Sequence, residues 1–189
     1  MVKKAIQTVA MFGGSFDPPH IGHKAIVYEV LNRLDIDILL IVPSFQNPLK
    51  QDSLATPTQR MQMCKVAFEN FNNVLISDYE MKQEIRYTSD SVKYFKDFYD
   101  LKYLIIGADN LISLHLWHDF EWLNANVIWV VASRQNGSID TQNIKLLKRY
   151  IMLDIDENVS SSEIRNGLKR DMIDTKISNQ IDTIYKGTK

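Results

Sequence analysis

Short apolar runs of strand length alternate with helix-period segments along almost the whole chain, and no other feature narrows the fold as much. AIQTVAMF (5–12), IDILLIVP (36–43), NVLISD (73–78), KYLIIGAD (102–109), NVIWVVAS (126–133) and YIMLDI (150–155) read as six strands. Between them, helical patterns cover HKAIVYEVLNRL (23–34), Pro57 to about Phe71, TSDSVKYFKDFY (88–99), a stretch through Trp117 to about Leu123, and about 140–149. The tail from Ser160 is helical as well. IDILLIVP is a continuous apolar run, as a parallel strand covered on both faces shows. The alternation implies an α/β fold: a Rossmann-like, doubly wound parallel sheet with right-handed crossovers and helices on both faces. No repeat, low-complexity tract or linker interrupts it, so residues 1–189 read as one domain.

In such sheets ligands bind beyond the carboxyl ends of the strands, near the point where strand order reverses. Four segments occupy those positions: GGSFDPPH after the first strand, SFQNPLK after the second, GADN after the fourth and SRQNG after the fifth. The first is the most unusual. GGSFDPPHIGHKA (13–25) holds two glycines, two prolines and half of the chain's four histidines. Gly13 and Gly14 let the backbone come close to a ligand, and the amides of the turn and of the next helix favour an anion. Pro18 and Pro19 stiffen the connection. His20 and His23, three apart at a helix start, share one face and can each donate to a phosphate oxygen. A packing role for either histidine, or Asp17 as a helix cap, is the plainer alternative. Neither a Walker A loop nor GxGxxG is present, so any phosphate cradle here is of another type.

Charge restricts the partners. The 22 basic and 23 acidic residues give a net charge of −1, which argues against a nucleic-acid or membrane surface. KLLKR (145–149), the densest basic cluster, reads as the solvated face of a helix. The lone cysteine, Cys64, lies among apolar residues and reads as a buried thiol. No apolar run reaches membrane-spanning length and the N-terminus lacks the layout of a signal peptide, so the expected location is the cytoplasm. A homo-oligomer is compatible with the sequence, which does not fix the oligomeric state.

His20-Ile21-Gly22-His23 spells HxGH, and GGSFDPPHIGH resembles the nucleotidyltransferase superfamily of adenylyl- and cytidylyltransferases. VSSSEIR (159–165) is similar to that superfamily's ISSTxIR signature; read physically, Ser160 and Glu163 also form a capping box. VPSFQNPLK (42–50), RYTSDSV (86–92) and IIGADNLISLHLWHDFEWL (105–123) resemble the bacterial nicotinate-nucleotide adenylyltransferase family. Leu49 and Ser91 depart from it, standing where histidine and threonine are usual.

The resemblance implies adenylyl transfer from ATP to nicotinate mononucleotide, with Mg²⁺ carried on the ATP phosphates and no metal ligands supplied by the protein. His20, His23 and Arg165 would be catalytic. Gly13, Gly14, Ser15, Phe16, Ile106, Gly107, Asp109, Ser161 and Ser162 would join them in binding ATP. Ser15, Phe16, Lys50, Tyr87, Thr88, Asp109, Trp117 and Arg134 would hold the nicotinate nucleotide. His118 could serve the site or the fold, and His115 reads as a surface or packing residue. Rival readings are a transferase with phosphopantetheine or glycerol phosphate as acceptor, and a module that senses a nucleotide without turnover.

Overall fold

Alternation along the strands decides which side of the sheet each helix covers. The computed structural model describes residues 6–49, 53–134 and 143–185. Six strands, β1 (Thr8–Gly14), β2 (Ile38–Pro43), β3 (Val74–Ile76), β4 (Asp100–Gly107), β5 (Ile128–Arg134) and β6 (Tyr150–Ile155), form one sheet in the order β3-β2-β1-β4-β5-β6. Every pairing is parallel. Val9 and Met11 of β1, with Leu40, Ile106 and Trp129, point to one face. There they meet α4 (Thr88–Lys96) and α5 (Phe120–Asn126). Ala10 and Phe12, with Ile41, Ile105 and Val130, point to the other, against α1 (Ile21–Arg33) and α2 (Pro57–Ala67). Burial on both faces accounts for the unbroken apolar runs.

A third cluster fastens the C-terminal segment. Ile164 of α6 (Ser161–Arg165) packs with Ile181 and Tyr185 of α7 (Ser178–Tyr185) on Met63 of α2. Each fully buried side chain of this size contributes roughly 1.5–3 kcal/mol through the hydrophobic effect.

Several element boundaries depart from the sequence reading. Helix α2 opens as expected, with Thr56 and Gln59 in a reciprocal capping box and Pro57 at the first turn, but it stops at Ala67 rather than Phe71. The chain then turns, so that Phe68 and Phe71 pack into the core beside Cys64, whose thiol burial pushes well above its usual pKa. A short helix α3 (Tyr79–Gln83) occupies a stretch expected to be loop. Residues 108–123 are not one helix: a 3-10 helix (Ala108–Leu116) ends in extended backbone at Trp117, and Asp119, left-handed at φ 53°, starts α5. KLLKR is not a helix face either. A 3-10 turn ends at Leu146, Leu147 is buried, and Arg149 donates to the carbonyls of Ala125 and Val127, closing the end of α5. The rest of that expected helix, and the turn after Arg134, lie outside the described residues.

Candidate active site

Strand β1 sits between β2 and β4, so the chain leaves it toward one edge and returns on the other side. Beyond its carboxyl end opens a cleft of about 390 Å³, floored by Gly13, Gly14 and Ile106. Ser15 and, from the β2 loop, Ser44, Gln46, Asn47, Pro48 and Leu49 form one wall; Arg86, Tyr87, Thr88, Trp117 and His118 form the other.

The first connection is built to a fixed shape. Phe16 takes a left-handed φ of 49° and turns its ring into the core, 5.3 Å from Phe12 and 6.1 Å from Phe68. A Cβ on Gly14 would stand 3.1 Å from that ring, so glycine lets the turn close over the phenyl group. Phe16 therefore reaches the site with its backbone only. His20 is the N-cap of α1, and its backbone N–H donates to His23 Nδ1 at 3.2 Å. In the neutral imidazole of His23 this places the ring proton on Nε2, which becomes a donor. The two imidazoles lie 3.8 Å apart and tilted by 34°. Gly22 makes room for them: a Cβ there would be 3.1 Å from the His20 ring and 3.2 Å from Val159.

Asp17 caps no helix. Its carboxylate accepts from the backbone N–H groups of Leu54 (2.9 Å) and Ala55 (3.0 Å) and from the hydroxyl of Tyr185 (2.7 Å). Burial first, and then the bond to Asp17, push the Tyr185 phenol well above its usual pKa, so it stays a donor. Helix α6 docks on the same loop: Ser161 donates to the carbonyl of Pro18 (2.9 Å) and Arg165 to that of Asp17 (2.6 Å). Arg165 also donates to Ser162 Oγ at 2.9 Å. The expected capping box starts the helix, Ser160 accepting from Glu163 N–H and Glu163 from Ser160 N–H.

On the far wall, Tyr87 and Thr88 open α4, leaving amides of its first turn for a ligand. His118 holds that opening, with Nδ1 at 3.1 Å from Ser89 Oγ and its ring stacked on Tyr87 at 4.4 Å. Trp117, half-buried, packs edge-on against Trp129 at 6.1 Å. Beneath the near wall lies Arg60, only 1% exposed. It donates to the carbonyls of Ser15 (2.8 Å), Phe45 (3.0 Å) and Ala55 (3.3 Å). Glu80, 5% exposed, accepts from Ser91 Oγ at 2.7 Å and from the backbone of Phe45. Burial pushes its pKa up to about 7, against the opposing pull of those donors and of Arg60.

Residues 11–167 match the cytidylyltransferase-like family. A relative from Sulfurovum sp. strain NBC37-1, named "probable nicotinate-nucleotide adenylyltransferase", is 42% identical over all of both chains. One from Campylobacter jejuni of the same name is 41% identical over 94% of this chain and 96% of its own. The chain belongs to the nicotinate-nucleotide adenylyltransferase family. The Plasmodium falciparum nicotinic acid mononucleotide adenylyltransferase solved with NaAD has the same fold. It superposes with a TM-score of 0.78 at 21% identity, over 96% of this chain and 97% of that one.

As a nicotinate-nucleotide adenylyltransferase family member, the chain brings its sequence signatures into two neighbouring groups. Gly13, Gly14, Ser15, Tyr87, Thr88, Ile106 and Trp117 line the cleft. His20, His23, Ser161, Ser162 and Arg165 gather around the first connection. Gly107 follows Ile106, with Asp109 folded back so that a Cβ on the glycine would lie 2.5 Å from Asp109 Oδ1. Asp109 is exposed and accepts from Asn110, and it does not cap the 3-10 helix, which starts from Gly107. Leu49 lines the cleft and is 44% exposed. His115 is exposed, as expected. Lys50 and the side chain of Arg134 lie outside the described residues; Arg134 closes β5.

The sequence reading missed Arg60 and Glu80. A signal existed for the arginine: Arg60, Cys64 and Ala67 fall on one helical face, so the pattern buries a charge. Glu80, in a segment read as loop, gave none.

Proposed function

We propose that this protein transfers the adenylyl group of ATP to nicotinate mononucleotide, forming nicotinate adenine dinucleotide and pyrophosphate. The observation that carries this reading is the meeting of two distant segments, His20–His23 and Ser161–Arg165, beside a cleft lined by Trp117 and the start of α4. One group suits a triphosphate and the other a flat ring bearing a carboxylate.

The 5′-phosphate of the mononucleotide attacks the α-phosphorus of ATP in line. A phosphorus–oxygen bond forms as the α–β bridge breaks, and the electron pair leaves with pyrophosphate. The attacking phosphate is already ionised, so positioning and charge stabilisation supply the catalysis. Nε2 of His23 and the imidazole of His20 donate to the α- and β-phosphates. Arg165, with Ser161 and Ser162, receives the departing pyrophosphate. Gly13, Gly14 and Ser15 supply close backbone approach for ATP, while Ile106 and Gly107 meet the adenine through their main chain. Trp117 stacks on the pyridine ring, and the amides at Tyr87 and Thr88 hold the nicotinate carboxylate. Ser15, Phe16 through its backbone, Asp109, Lys50 and Arg134 complete the mononucleotide side.

Mg²⁺ bound to the ATP oxygens neutralises charge that develops on the phosphates. No cluster of three or more metal-ligating side chains occurs among the described residues. No helix among the described residues is long and apolar enough to cross a membrane. We place the enzyme in the cytoplasm, acting on small molecules without a nucleic-acid partner.

The test is pyrophosphate release from ATP and Mg²⁺ with nicotinate mononucleotide, nicotinamide mononucleotide, phosphopantetheine, or glycerol 3-phosphate (with CTP for the last). Release with nicotinate mononucleotide, and little with the others, is the expected result. ATP binding with no release from any acceptor would replace this reading with a nucleotide sensor.

A further inference from the structure

Among the described residues that line the cleft, Glu80 carries the only carboxyl group. Its carboxyl is bonded to Ser91, in the first turn of α4, the helix opened by Tyr87 and Thr88 that the proposed function sets against the pyridine substituent. No described lysine, arginine or histidine lies within ion-pair distance of it; its bonded partners are the neutral Ser91 hydroxyl of α4 and the Phe45 amide of the β2 loop. The charged and titratable groups near it are Arg60 of α2, held by three carbonyls, and Tyr79 of α3, while Arg86 and His118 line the same cleft. A carboxyl in this setting can change charge while its geometry is kept, because both donors serve the neutral and the ionised form.

We propose that Glu80 makes the preference for the acid over the amide mononucleotide depend on pH: uncharged it admits the nicotinate carboxylate, and ionised it repels that carboxylate but not the carboxamide. This rests on the seating of the pyridine ring between Trp117 and the start of α4. Glu80 exchanges its proton with solvent and passes none to the reacting phosphates, so it is a specificity residue rather than a catalytic one. The two mononucleotides differ only in the ring substituent, and each carries the same 5′-phosphate. Taking the ratio of their kcat/KM values therefore cancels the phosphate's own titration and any general effect on the active site.

The experiment measures that ratio, acid over amide, on the full chain with saturating ATP and Mg²⁺ from about pH 5.5 to about pH 8.5. An inhibition constant stands in for the amide if it is not turned over. The expected result is a fall of roughly tenfold centred near neutrality, the scale of one like-charge interaction in a partly screened cleft. Glu80→Gln keeps an acceptor for Ser91 and should give a high ratio that does not change with pH. Ser91→Ala removes a bond that favours the ionised form and should move the midpoint upward. A wild-type ratio independent of pH overturns the proposal, whether or not the variants fold. So does an unchanged slope in Glu80→Gln. Trp117→Ala tests the seating separately: an unaltered KM for nicotinate mononucleotide would refute the placement of the ring, while the wild-type slope still judges Glu80.

Discussion

Arg165 donates to the main-chain carbonyl of Asp17 across 148 positions of sequence, and that bond brings the C-terminal signature onto the first loop. The same guanidinium reaches Ser162 and lies 3.7 Å from the Asp17 carboxylate. It is three-quarters buried, so its fork is preset before any ligand arrives. Replacing it with lysine removes the planar pair of donors while keeping the charge. Arg165→Lys should lower kcat by about tenfold or more and raise KM for ATP, read by pyrophosphate release, with the fold intact by circular dichroism. Wild-type kinetics would remove Arg165 from the triphosphate site.

His20→Ala is expected to lower kcat by about two orders of magnitude, the scale of losing one donor to a developing oxyanion. Steady-state kinetics at saturating ATP measure it. A wild-type rate would end the role assigned to His20.

Gly22→Ala separates activity from stability. Alanine in a helix is favoured over glycine by up to about 1 kcal/mol, yet here its methyl group would press on the His20 ring and Val159. The melting temperature should stay within a few degrees of wild type while kcat falls. A variant with normal turnover would show that His20 tolerates displacement.

Arg60→Met keeps the apolar stem and removes the donors to three carbonyls. Each buried group left without a partner costs about 1–3 kcal/mol, so the variant should lose about 3 kcal/mol or more in urea unfolding. Its KM values should rise too, because Ser15 and the residues flanking Phe45 line the cleft.

Glu80 makes stability depend on pH. Burial raises its carboxyl pKa to about 7 in the folded chain, above the ordinary carboxylate range that it has when unfolded. The folded state thus binds the proton more tightly, and stability is fully present below the unfolded pKa and declines as pH rises toward 7. The loss over that window is roughly 3 kcal/mol. Urea midpoints measured at about pH 5 and about pH 7.5 should differ in wild type and converge in Glu80→Gln.

The strands and the two signatures were legible in the sequence because each follows a local rule: period and run length for the sheet, and dense turn chemistry for Gly13–His23. Helix ends were less so. Helix α2 stops where Phe68 and Phe71 find the core, a choice made by tertiary packing. The break at Trp117–Asp119 was hidden for the same reason: only the cleft explains why a helical pattern should stop to present Trp117 and His118. Asp17 looked like a cap because capping is local, whereas its partners Ala55, Arg165 and Tyr185 are distant in sequence. Buried charges such as Arg60 and Glu80 are set by the walls they join, and no short window of sequence contains both walls.

The bond from Tyr185 to Asp17 also has a meaning in time. A ribosome releases the first strand and its loop early, and the sheet can assemble as the strands follow. Asp17 has its full set of partners only after α7 has emerged. The nascent chain would therefore own a nearly finished scaffold while the loop around Asp17 still waits for Tyr185.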